Sequence, residues 1–181
     1  MDRIPSRQPL LILRDLERRS RQYATPLPRH EEVRKVWTGI GFRFGGLQLV
    51  TPLAEVLEIL PPPVVSRVPM TKSWVKGIAN VRGSLLPIMD LQGCLMGRPS
   101  ILGRRGRVML VRHKQVIAGF LVDEVLGLKH FLEEEAAEDL PQVDEAVQPY
   151  LRRAFRQGDM HWGVFSLHRL AESPLLMQVG V

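Results

Sequence analysis

A chain of 181 residues, 45% of them hydrophobic, is long enough for one domain with modest extensions and too apolar for wholesale disorder. Its apolar runs, such as Leu10 to Leu13 near the N-terminus, are too short to span a bilayer or to act as a secretory signal, and a lone cysteine, Cys94, excludes an internal disulfide. The formal charge of +6 is spread along the chain, apart from residues 131–147, which hold seven Asp/Glu and no Lys/Arg; this is a solvated basic surface, not the aromatic-studded basic stripe of a nucleic-acid binder. A cytoplasmic protein is expected.

In chain order, residues 10–23 come first. Leu10, Leu13, Leu16 and Tyr23 recur at helical spacing, with an arginine-rich outer face. Asp15 with Arg19, and Glu17 with Arg21, form i, i+4 pairs with the acid leading, and Pro26 and Pro28 end the helix. Residues 1–35 therefore read as a basic helical extension. From Val36 the period becomes two: Ile40, Phe42 and Phe44 point one way, and Gly45-Gly46 suits a tight hairpin turn into Leu47 and Leu49. Pro61-Pro62-Pro63 reads as a rigid extended connector. Residues 81–89 read as a strand pair broken by Arg82-Gly83-Ser84, and residues 107–112 and 116–122 as strands buried on both sides around His113-Lys114-Gln115. Residues 125–128 add a candidate strand, and residues 133–147 an acidic loop or frayed helix. A last hairpin turns at Gln157-Gly158-Asp159, before a short helical end at 167–171. Short strands at regular spacing indicate an all-β barrel or sandwich.

Catalytic patterns are missing. Gly39-Ile40-Gly41 followed by Gly45 lacks the third glycine of a dinucleotide loop, which is Phe44, and runs into a hairpin instead of a helix. The five histidines show no metal-ligand spacing. Asp159, His161 and His168 are explained by a turn aspartate and two half-exposed histidines, and Ser84 lacks the glycines of a nucleophile elbow. No catalytic residue, metal or cofactor is expected, and a binding module is favoured over an enzyme.

Residues 74–91, WVKGIANVRGSLLPIMDL, resemble the signature of the CheW-like chemotaxis adaptor family: a strand ending Asn80-Val81-Arg82-Gly83, then apolar residues around Pro87 and a closing Asp90-Leu91. Pro52 to Leu60 and Gly119 to Val125 resemble two further family segments, so the likeness covers about residues 36–172, leaving 173–181 as a tail. The leader running into VWTGIGFRFG resembles the family's pilus-chemotaxis branch. One departure is Leu151-Arg152-Arg153-Ala154-Phe155, where the family has a Gly-(Ile/Val)-Ala-like run.

The resemblance implies two SH3-like five-stranded β-barrels sharing a hydrophobic core, with helix confined to the leader, the segment near Met70 to Trp74 and short terminal pieces. It implies an adaptor joining a CheA-type histidine kinase regulatory domain to the cytoplasmic tip of a methyl-accepting chemoreceptor, in membrane-bound arrays that control type IV pilus twitching. Partner contacts are expected from Asn80, Val81, Arg82, Gly83, Leu85, Val122 and Asp123. Read on residue type alone, Arg82 would clamp a loop carboxylate such as Asp90 or Glu124, Asn80 would serve a turn, and Asp90 would cap a helix entering Leu91. The three tryptophans read as partly buried core. The alternative is a small basic barrel that binds nucleic acid.

Overall fold

The computed structural model describes residues 14, 16–19, 35–114, 116–178 and 180, and the chain divides into two units, Met1–Arg34 and Lys35–Val181. In the first unit Arg14 and residues 16–19 are helical and Leu16 is exposed. The rest of the predicted helix, its charge pairs and its terminating prolines lie outside the described residues.

The second unit contains eleven strands among its described residues: β1 Val36–Phe44, β2 Leu47–Pro52, β3 Val56–Leu60, β4 Val75–Val81, β5 Ser84–Asp90, β6 Arg107–His113, β7 Val116–Val122, β8 Glu124–Leu132, β9 Ala136–Ala137, β10 Leu151–Gln157 and β11 Met160–Phe165. They form two sheets, one in the order β8-β1-β2-β11-β10-β9 and one in the order β3-β6-β7-β5-β4. The chain starts in the first sheet, builds the whole second sheet as β3 to β7, then returns. Each sheet holds one parallel pairing, β2 with β11 and β5 with β7, between segments joined by other strands.

The alternation explains which faces are buried. Ala79, Leu86, Ile88, Val108, Leu110 and Leu121 fill the inside of the second sheet. Val50, Phe131, Phe155, Trp162 and Val164 fill the inside of the first, with Phe131 and Phe155 stacked at 4.6 Å between ring centroids. A third cluster joins the two sheets: Phe42, Phe44, Leu49 and Phe165 from the first meet Met89, Met109, Val111 and Phe120 from the second. This is the shared core that the family likeness implied. The second sheet closes on itself through a two-way backbone bridge between Ser66 and Ile78 (2.8 and 2.9 Å). That approach is why position 77 is glycine: a Cβ there would lie 2.2 Å from the Ser66 carbonyl oxygen, and φ is +137°.

Four expectations need correction. The first sheet has six strands, because Ala136–Ala137 pairs with Phe155 and Ala154; the rest of the acidic stretch, 138–147, is the expected loop. The strand before Arg82 begins at Val75, and Ser84 already belongs to β5. No helix forms at 70–74: Met70 sits at φ +58° and Val75 N–H closes a turn on the Lys72 carbonyl, breaking the helical repeat. A helix at Leu91–Met96 lies outside the places to which helix was expected to be confined, and Asp90 caps it as its residue type implied, with Oδ1 accepting the Gly93 N–H at 3.0 Å.

Candidate partner-docking surface

The β4–β5 hairpin presents the predicted contact residues. Arg82 (φ +51°) and Gly83 (φ +86°) are its two turn residues, both left-handed, the pairing that matches the twist of the flanking strands. Asn80 Oδ1 accepts the Gly83 N–H at 2.9 Å and fixes the turn. Asn80 pairs across the ladder with Leu85, and Ile78 with Pro87, so these four share one face. On that face Leu85 is 72% exposed and Ile78 39%, while Ala79 and Leu86 point inward and are buried. Val81 is half-buried against the inside of the second sheet.

Arg82 does not reach Asp90 or Glu124. Its Nη2 donates to Glu58 Oε1 on β3 at 2.7 Å, with 79% of the arginine side chain and 30% of the glutamate exposed. The pair spans the two edge strands of the second sheet, with the guanidinium outward. Asp90 is fully buried and accepts from Gly93 and Ser100 N–H groups, with Lys76 Nζ at 3.5 Å. Glu124 pairs with Arg43 and Arg105.

Two predicted contact residues stand elsewhere. Val122 is 0% exposed and its side chain belongs to the shared core. Asp123 Oδ2 accepts the Gly45 N–H at 2.9 Å, and Asp123 N–H donates to the Arg43 carbonyl, tying the first hairpin to the crossing between sheets. Both mark the junction, apart from the exposed hairpin face. Glu58, which anchors Arg82, was not among the expected contact residues. Its signal was an acid among the apolar residues of β3, whose partner lies 24 positions away.

The other polar groups separate. His161 Nε2 meets the Asp139 carbonyl at 3.1 Å, whereas His168 lies beside His113, with ring centroids 5.1 Å apart. Cys94 is buried; burial first, then Asp90, pushes its thiol up to about 12, an inert form. Among the described residues no group of three or more His, Cys, Asp and Glu could hold a metal, and no helix is long and apolar enough to cross a membrane. All six phenylalanines are 0% exposed, Trp74 and Trp162 are buried and Trp37 and Tyr150 are half-buried, so the described Phe, Tyr and Trp residues offer no fully exposed ring on which bases could stack.

A crystal structure of the scaffolding protein TtCheW from Thermoanaerobacter tengcongensis superposes with a TM-score of 0.67 over 77% of this chain and 95% of that one, at 21% identity, which establishes a common fold. Protein PilI of Pseudomonas aeruginosa is 44% identical over 96% of this chain and 97% of its own length. Chemotaxis protein CheW of Helicobacter pylori is 32% identical over 62% of this chain and 68% of its own. The CheW-like domain family itself matches residues 38–174, which takes in both sheets, the shared core and the exposed hairpin: the chain is a member of the CheW-like domain family.

Proposed function

We propose that the protein is a non-catalytic adaptor of a chemotaxis-like signalling system, coupling a CheA-type histidine kinase to the cytoplasmic tip of a methyl-accepting chemoreceptor. Near-full-length similarity to PilI supports a role in a system controlling type IV pilus twitching, with the protein working in the cytoplasm at receptor arrays. The observation that carries the reading is the hairpin face. Exposed Leu85 and Ile78 flank an arginine held on a fixed turn, the mixture of apolar area and planar donors found at interface centres. The contact set is Asn80, Arg82, Gly83 and Leu85, extended by Ile78 and Glu58. A pull-down with a CheA-type kinase regulatory domain, and a second with a receptor tip, tests the role; retention of neither partner would overturn it. The nucleic-acid alternative has no support from the relatives or from the buried aromatics.

A further inference from the structure

β5, β6, β7 and the C-terminal helices Leu167–Ala171 and Pro174–Met177 border a cavity of about 370 Å³, within the size range of small-molecule sites. Met89, Val111, Ala118, Phe120 and Leu176 line it, continuing the shared core outward along the second sheet. The rim is polar: His113, Lys114 and Glu172.

That rim already holds a carboxylate. Glu172 Oε1 lies 3.2 Å from Lys114 Nζ and 3.0 Å from His113 Nε2. The lysine hydrogen bond first, and the charges of Lys114 and His113 after it, keep the Glu172 carboxyl below its ordinary 4.5, so the rim favours a carboxylate over its neutral acid. The histidine contact is the weaker of the two: His113 Nε2 is buried and at ion-pair distance from Glu172, but poorly aligned for a hydrogen bond. His168 Nε2, in the adjoining ring, is buried without a partner as well. Of four such side-chain atoms among the described residues, one, His113 Nε2, lines this cavity, and buried polar groups are ordinarily satisfied. Glu172 itself is half-exposed, so its side chain can swing out to solvent.

We propose that the cavity is a binding site for a small amphiphile with an apolar body and one carboxylate. The body packs on Val111, Ala118, Phe120 and Leu176. The carboxylate replaces that of Glu172 on Lys114 Nζ and His113 Nε2. This site goes beyond the adaptor reading and does not depend on it.

Decanoate titrated into the full chain, followed by methyl NMR, tests the site, with decanol and decylammonium as controls for the head group. Decanoate should give saturable shifts at Val111, Ala118 and Leu176, and decanol and decylammonium should bind at least about tenfold more weakly. Lys114→Ala should weaken decanoate about tenfold, and Glu172→Gln, which removes the competing carboxylate, should tighten it severalfold. Both positions are exposed enough to keep the fold, which a thermal melt verifies. Absence of shifts at these methyls up to millimolar decanoate would overturn the proposal. Equal binding of decanol, or no response to Lys114→Ala, would overturn the carboxylate assignment.

Discussion

Arg82 combines two features that pull apart in a substitution experiment. Its ion pair with Glu58 is mostly solvent-exposed, and such pairs contribute about 0–1 kcal/mol. Its backbone, at φ +51°, carries a penalty of about 1 kcal/mol that any residue with a Cβ pays. Arg82→Ala should therefore lose about 1 kcal/mol of stability or less, whereas Arg82→Gly should melt at or above the alanine variant by about 1 kcal/mol. Both should lose about 2 kcal/mol of partner binding, roughly thirtyfold, if the guanidinium sits at an interface centre. Thermal melts beside titrations with each partner measure the two effects separately. A collapse of both melts would make Arg82 a structural clamp, and unchanged titrations would remove it from the docking surface. That Arg82 sits on a turn was legible in Asn80-Val81-Arg82-Gly83, since the turn is local. Its partner was not, because the contact with Glu58 exists only once β3 and β4 become opposite edges of one sheet.

Elements that look peripheral in the sequence are tied by buried or paired charges. Glu55, 6% exposed in the short 3-10 turn between β2 and β3, accepts from Ser166 Oγ at 2.9 Å and His168 N–H at 3.0 Å. It thereby holds the start of the helix Leu167–Ala171, more than 100 residues later. Glu55→Ala leaves those donors buried and unpaired and should cost about 2–4 kcal/mol in a denaturant melt, with Glu55→Gln costing less; equal costs would show that the charge and its hydrogen bonds are not what matters. The acidic segment is strapped to β10 at the surface, by Arg153 on Glu133 and Arg156 on Asp139. The Arg153 hydrogen bond holds the Glu133 carboxyl below its ordinary 4.5. Asp139 is held below 3.8, first by its own backbone N–H and then by Arg156. Depressed values mean that the straps are in place above the unfolded-state values and lost as pH falls through the still lower folded ones. Amide protection of residues 133–147 should therefore be flat from pH 7 to about 5 and fall below about 4.5, and high salt at neutral pH should lower it too. Protection that persists at pH 3 would mean that burial of Val147, not charge, holds the segment. Composition showed the seven acids but not their place, since the straps depend on arginines across a strand pairing.

At the scale of the whole molecule, the two sheets are one folding unit because neither owns its outer face. The second sheet is continuous in sequence, β3 to β7, and could be excised as a segment, yet Met89, Met109, Val111 and Phe120 on its outer face share one buried cluster with Phe42, Phe44, Leu49 and Phe165 of the first. Exposing four such side chains forfeits roughly 1.5–3 kcal/mol each, as much as the whole stability of many small domains. The alternation of each strand foretold that it had a buried face; which sheet would cover it was not legible, because the parallel pairings β2–β11 and β5–β7 join segments far apart in the chain. Two truncations of the shared core, one from each side, probe this. Phe165→Ala in the first sheet and Phe120→Ala in the second, both 0% exposed, should each cost about 3–5 kcal/mol. In each variant, amide exchange should report the same loss of protection in β6 and β7 as in β1 and β2, within about 0.5 kcal/mol, since cooperative units open together. If Phe165→Ala loosened the first sheet alone while β6 and β7 kept their protection, the two barrels would be separate domains in contact, and the chain's excursion through β3 to β7 an insertion able to stand by itself. A segment of residues 56–123 expressed alone gives the complementary measurement. A cooperative melt of that segment would likewise make the barrels separate domains, and a collapsed, dye-binding state without one is the outcome expected from its uncovered face.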